Sequence, residues 1–345
     1  MLLSSGEVLS AEAEKEEIAL DLDSLPIEVH GHQPGSAWNG HYRSRCYHPL
    51  VLRTEEGFFL AARLREGNVH TAAGALDFAL PVVERAAAFA PRVWLRIDAG
   101  FPDDSFMSAL EALPCVRYVA RLRTNPALER LAAPYLRRPP GRPPQGGRLW
   151  TYELLYRAES GQRSRRVVLV VLERPGEQAH LFLDHFFLVT NATTEEEPAE
   201  ALLARYRQRG RAEKDFGEWQ AALGPRLSST PRPKRHYRGH PVRSAYAPPD
   251  CFRTNEVRLL LSLLAANLLR AASRLLERTG KKAFSRERFR ALVLKASARV
   301  LTSGRRILVV IDAARAPVWS ALWREIERLY PARGSPHLQA LPTPV

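Results

Sequence analysis

Three acids, Asp23, Asp98 and Glu213, stand apart by their settings. Asp23 ends the alternating segment IALDLDS, Asp98 follows the apolar run VWLRI, and Glu213 lies on a long helical pattern. Carboxylates delivered from three separate elements can converge on two divalent cations, roughly 3.5–4 Å apart in phosphoryl-transfer sites. Mg²⁺ fits that role because it prefers oxygen ligands and shares them with substrate phosphates; Mn²⁺ can replace it. Tyr206, Arg209 and Glu213 follow one another at spacings of three and four. On a continuous helix they share a face, so a phenol and a guanidinium would stand beside the third acid to hold a phosphate. The chain has 37 acidic residues, so the triad alone is a weak signal. Asp21 shares the strand face of Asp23 and is its rival for the first position. Asp312, after ILVVI, imitates Asp98 locally and reads as a cap.

The elements that must carry these residues form an α/β pattern. Residues 18–29 read as a strand, followed by strands at 47–53 and 57–64 joined by a turn. Residues 70–90 have helical spacing, with Pro81 expected to kink or divide them. Then come the strand ending at Asp98, a helix over 103–113 and a strand over 115–122. That order puts Asp98 at the C-terminal edge of a strand, where open α/β sheets keep their chemistry. The Pro/Arg-rich stretch 134–147 leads into three strand-like runs, 150–157, 165–174 and 180–190, read as a β-rich insertion. A single helix is expected from about 198 to 223, with Gly210 as a weak spot. Helices over 253–278 and 285–299, a strand over 305–312 and a helix near 317–330 close the chain. The resulting division is 1–124 and 193–345 as two parts of one catalytic domain, with 125–192 inserted between them.

Composition narrows the function. The 345 residues carry 51 Lys and Arg against 37 Asp and Glu, a net charge of +14. Such a balance favours a polyanionic partner, and nucleic acid is the first candidate. The basic loop after residue 224 offers Arg226, Arg232, Lys234, Arg235 and Arg238 for phosphates. Three scattered cysteines exclude a disulfide scaffold and a cysteine zinc ribbon, and fit a reducing cytoplasm. The N-terminus lacks the pattern of a signal peptide. The apolar stretch 257–276 contains Arg258, Asn267, Arg270 and Arg274, which points to a buried helix and not to a membrane span.

In order, IALDLDSLPIEVHGHQ, NGHYRSRCYHPL, LRIDAGF, YRQRGRAEKDF and RTNEVRLLLSLLAANLL resemble DDE insertion-sequence transposases, most closely the IS thirteen-eighty group of the IS-four-like superfamily. The resemblance spans roughly residues 18–330. It implies an RNase H-like catalytic domain interrupted by a β-rich insertion, with C-terminal helices. It also implies metal-dependent DNA strand cleavage and strand transfer at the element's ends. The catalytic and metal-binding acids then fall on Asp23, Asp98 and Glu213. Tyr206 and Arg209 belong to the signature Tyr, two residues, Arg, three residues, Glu, six residues, Lys. The last position is Gln220 here, a departure for which Arg211 or Lys214 would have to compensate as a DNA contact. The implied partners are double-stranded DNA, both transposon ends and target, and a second copy in a synaptic complex, in the nucleoid-associated cytoplasm. Family members carry a longer region before the first acid, so an N-terminally truncated copy is expected. Two other readings use the same residues: a catalytically inactive DNA-binding remnant, and a stand-alone RNase H-fold nuclease.

Overall fold

The computed structural model describes residues 8–9, 15–29, 33–141, 146–159, 161–174, 183–225, 227, 236–237, 240–241, 251–280, 284–304 and 306–329. Its contacts divide the chain into two compact units, 1–213 with 226–260, and 214–225 with 261–345.

The first unit is built on an eight-stranded mixed sheet. Strands β1 (Glu17–Ser24), β5 (Leu50–Thr54) and β6 (Phe59–Arg63) form an antiparallel meander. On its other side β1 runs parallel to β7 (Arg92–Ile97), which runs parallel to β8 (Val116–Leu122). Three further antiparallel strands, β9 (Arg148–Tyr156), β10 (Arg165–Glu173) and β11 (Asp184–Thr190), continue the same sheet from β8 through β11. The run expected as an insertion thus lengthens the central sheet.

Alternation along the strands gives the sheet two different faces. Leu20, Leu22, Leu95 and Ile97 pack against helices α1 (Ala75–Ala87), α2 (Asp104–Glu111) and α3 (Pro126–Ala132). The opposite face begins apolar, with Ala19 and Trp94 under Leu202 and Leu203 of α4 (Ala199–Arg207). It then turns polar toward the strand ends, through Asp21 and Arg96 to Asp23 and Asp98. The chemistry-bearing residues of β1 and β7 therefore lie on the face that α4 covers.

Several sequence expectations need correction. The strand expected over 18–29 is two strands in different sheets. Pro26 has no N–H for a ladder and separates β1 from β2 (Ile27–Glu28), which joins β4 (Ser44–Tyr47) and β3 (Ala37–Asn39) in a small sheet. Pro81 does not divide α1. Both Pro81 and Asp77, whose carbonyl it leaves without a helical donor, face solvent, so water can satisfy that group. The helix expected over 198–223 is broken into α4 and α5 (Gly210–Leu223). At the break the amides of Arg209 and Ala212 bond the carbonyls of Tyr206 and Arg209, three residues back, in place of the α-helical ladder.

In the second unit, residues of α6 (Cys251–Glu277) after 260 share an apolar core with α7 (Arg286–Phe289) and α8 (Ala316–Leu329): Leu269, Leu276, Phe289 and Leu322. The helix expected over 285–299 gives way after Leu294 to a hairpin of β12 (Ala298–Ser303) and β13 (Arg306–Ile311), turned at Gly304 with φ 56°. By length and apolarity α6 could cross a membrane, yet it carries Arg258, Arg270 and Arg274, and Arg270 pairs with Glu277 at 2.8 Å.

Candidate active site

Register builds the site. Leu22 of β1 lies beside Ile97 of β7, so Asp23 and Asp98, one residue further on, emerge together at the sheet edge. Arg209, released from helical geometry at the α4–α5 break, reaches both. Its Nη2 donates to Asp23 Oδ2 at 2.9 Å and its Nη1 lies 3.6 Å from Asp98 Oδ1. The other oxygen of Asp23 accepts the amide of Ser24 at 2.8 Å. The Nε of Arg209 is buried and has no hydrogen-bond partner among the described residues.

Electrostatics separate the two aspartates of β1. Burial raises the Asp23 carboxyl to about 6, with Arg209 and the Ser24 amide pulling the other way and the Asp98 charge adding to the rise. Burial opposes the charge of Arg209, but Asp23 and Asp98 outweigh it and raise its pKa. Asp21 is instead locked between Arg53 and Arg96, with all three side chains fully buried. Each oxygen of Asp21 is already engaged by a guanidinium. Asp23 is the acid of β1 that opens toward the sheet edge beside Asp98.

The remaining expected residues are distributed unevenly. Tyr206, on α4, is half-buried against the sheet face that this helix covers, and burial first, then Asp98 and Asp23, raises its hydroxyl. Glu213 is exposed on the first turn of α5. Because the helix breaks between Arg207 and Gly210, Tyr206, Arg209 and Glu213 do not share one helical face. Among the described residues, no three His, Cys, Asp or Glu side chains form a group able to hold a metal ion. Arg211 is exposed, 3.9 Å from Glu55, and Lys214 is exposed on α5. Arg226, Arg232, Lys234, Arg235 and Arg238 lie outside the described residues.

A family model described as transposase DDE domain group 1 matches residues 5–238. The chain belongs to this transposase DDE family. No curated protein matches it. Transposases of the family are DNA-processing enzymes of the nuclease and transferase kind, and they generally use divalent metals.

Two features near the acid pair escaped the sequence reading. Tyr42, at the tip of the β3–β4 hairpin, has its hydroxyl raised by burial and then by the charges of Asp23, Cys46 and Asp98. Its ring meets His41 and His48 edge-on, with centroids 4.8 and 5.5 Å away. The second is the Arg96–Asp21 pair. A lone arginine inside VWLRI, two residues before an acid, was the available signal: a cation in so apolar a strand needs a buried partner.

Proposed function

We propose that this DDE-family chain is an insertion-sequence transposase of the IS thirteen-eighty kind, cutting DNA at the element's ends and joining the freed ends to target DNA. The observation that carries the proposal is Arg209, one cation between carboxylates delivered by two adjacent parallel strands. The meander β6–β5–β1 leading into parallel β7 and β8, with Asp23 on β1 and Asp98 at the end of its neighbour β7, supports an RNase H-like domain. The net charge of +14 suits a double-stranded DNA partner. Two ends to be joined call for two copies of the chain, acting in the cytoplasm where the DNA is.

The acid pair suits a hard divalent cation. Its donors are carboxylate oxygens, Asp23 carries a charge that burial disfavours, and a cation already neutralises it. Asp23 and Asp98 would hold Mg²⁺ or Mn²⁺, with Glu213 proposed as the third carboxylate. When bound, such ions supply Lewis acidity at phosphodiester oxygens and lower the pKa of water. Arg209 offers a planar guanidinium beside the acids to grip a phosphate. The raised pKa keeps the Tyr206 hydroxyl protonated, so it donates a hydrogen bond to the same strand.

The test is Mg²⁺-dependent nicking of duplexes carrying the element's ends, with D23N, D98N and E213Q compared at equal DNA affinity. Loss of nicking in all three is the expected result. Normal cleavage by E213Q removes Glu213 from the set, and normal cleavage by D23N or D98N ends the proposal. Salt-sensitive DNA binding by a wild-type chain that never cuts would identify a binding remnant.

A further inference from the structure

A chain of hydrogen-bonded side chains crosses the sheet and ends beside Arg209. Asp21 of β1 has Arg53 of β5 and Arg96 of β7 as its register neighbours. Arg53 Nη2 donates to Asp21 Oδ2 at 2.9 Å. Arg96 takes both oxygens, with Nε on Oδ1 at 2.6 Å and Nη2 on Oδ2 at 3.0 Å. This bidentate grip leaves one nitrogen of Arg96 facing α4. Its Nη1 donates to Gln208 Oε1 at 3.0 Å and approaches the Arg205 carbonyl at 3.5 Å. Gln208 caps α4 and directly precedes Arg209.

We propose that Asp21, Arg96 and Gln208 are positioning residues that hold Arg209 on Asp23 and Asp98, and thereby set how strongly the acid pair takes a divalent cation. The proposal rests on the reading of Asp23 and Asp98 as the cation-binding pair. At the α4–α5 break the backbone lacks the regular helical ladder, so residues 208 and 209 need another anchor. The Arg96–Gln208 bond supplies one from a fully buried side chain of the sheet. Arg209 and a metal ion compete for the same carboxylate oxygens. Fixing residue 208 keeps the guanidinium poised over the acids, which strengthens that competition. In the DNA-bound state the same anchor keeps Arg209 within reach of a phosphate. Losing it therefore has two opposite consequences: cation binding tightens and turnover falls. A purely structural link would weaken both or move neither.

Arg96 itself is a poor target, because its removal leaves Asp21 short of a buried partner and threatens the fold. Gln208→Leu breaks only the link to Gln208. Gln208→Glu keeps an acceptor for Arg96. Mn²⁺ affinity is read without DNA from the electron paramagnetic resonance signal of the free ion, and kcat and KM from Mg²⁺-dependent cleavage. Q208L is expected to bind Mn²⁺ about tenfold tighter than wild type, the worth of one hydrogen bond to a charged group. It should lose kcat on a similar scale at unchanged KM, and Q208E should restore both values. Mn²⁺ affinity in Q208L equal to or weaker than wild type overturns the clamp, as does Q208E behaving like Q208L. Mn²⁺ binding that D23N leaves untouched overturns the acid-pair reading, and the clamp with it.

Discussion

Arg209 and Asp23 are 186 residues apart in sequence and meet at 2.9 Å through Nη2 and Oδ2. The contact joins the break after α4 to the end of β1, and the same guanidinium faces Asp98 from β7. Three elements thus converge on one charge. The arrangement makes Arg209 a resident counter-ion for the acids, and its removal has a defined consequence.

In Arg209→Ala the two carboxylates face each other with no cation between them. Loss of one partner from such a pair costs about 3 kcal/mol in metal-free protein. Added Mg²⁺ restores the missing positive charge, so the rise in Tm from EDTA to MgCl2 should be larger in R209A than in wild type. Equal rises would show that Arg209 does not stand where a cation binds.

Asp21 and Asp23 should respond unequally to amidation. Asp21→Asn leaves the guanidiniums of Arg53 and Arg96 inside the sheet without a carboxylate, at a cost of about 4 kcal/mol. Asp23→Asn removes a charge that burial already disfavours and leaves Arg209 its contact with Asp98, so at pH 7 the metal-free protein loses far less stability. Urea denaturation of both variants with EDTA decides the matter. A large loss in D23N, or none in D21N, would exchange their roles.

Asp98 stands out in the sequence because it follows a compact apolar run, and Asp23 because it ends an alternating one, and β1, β7 and β8 appear near their expected places. The partnership of Asp21 with Arg96 was not legible there, since it depends on which strands are neighbours and in what register. The α4–α5 break was missed for a local reason. Arg207, Gln208 and Arg209 are all acceptable helix residues, and Gly210 alone is a modest penalty. What pulls the chain out of the helix is tertiary: Arg96 bonds Gln208, and Asp23 draws Arg209 toward the sheet. The small sheet of β2, β3 and β4 went unseen because strands of two to four residues are too short for alternation to register.

Stability should fall with rising pH at one carboxylate and with falling pH at another. Burial raises Asp23 from 3.8 to about 6, so the folded state binds this proton more tightly than the unfolded chain. Its contribution is fully present below the unfolded value and is lost as pH rises through 6. The stability of wild type relative to D23N should therefore drop by about 3 kcal/mol between pH 3.5 and pH 7 without metal. Glu196 runs the other way. Hydrogen bonds from Arg117, then the Thr193 amide, hold it near 2, so its contribution is present above 4.5 and is lost as pH falls through 2. Denaturation curves of D23N and E196Q across pH should show these opposite slopes, and a flat wild-type-to-D23N difference would remove the buried charge from the argument.

Gly67 should be the least replaceable glycine near the site. A Cβ there would sit 2.0 Å from the Cys46 carbonyl oxygen and 2.6 Å from that of Ala37, both backbone atoms of the hairpin that carries Tyr42. Neither can rotate away, so the hairpin itself must shift. Its tip is tied to this glycine, because Asn39 Nδ2 donates to the Gly67 carbonyl at 2.7 Å and Asn39 Oδ1 accepts the amides of His41 and Tyr42. Gly67→Ala should cost about 2–3 kcal/mol through overpacking. It should also move Tyr42 away from Asp23 and Asp98, which a shift in the tyrosine's ring resonances would report. Gly40, at the tip, has nothing within 4 Å of the corresponding Cβ, and Gly40→Ala should leave both stability and the Tyr42 resonances as in wild type. If the two alanine variants behave alike, backbone crowding at Gly67 is not what seats the hairpin.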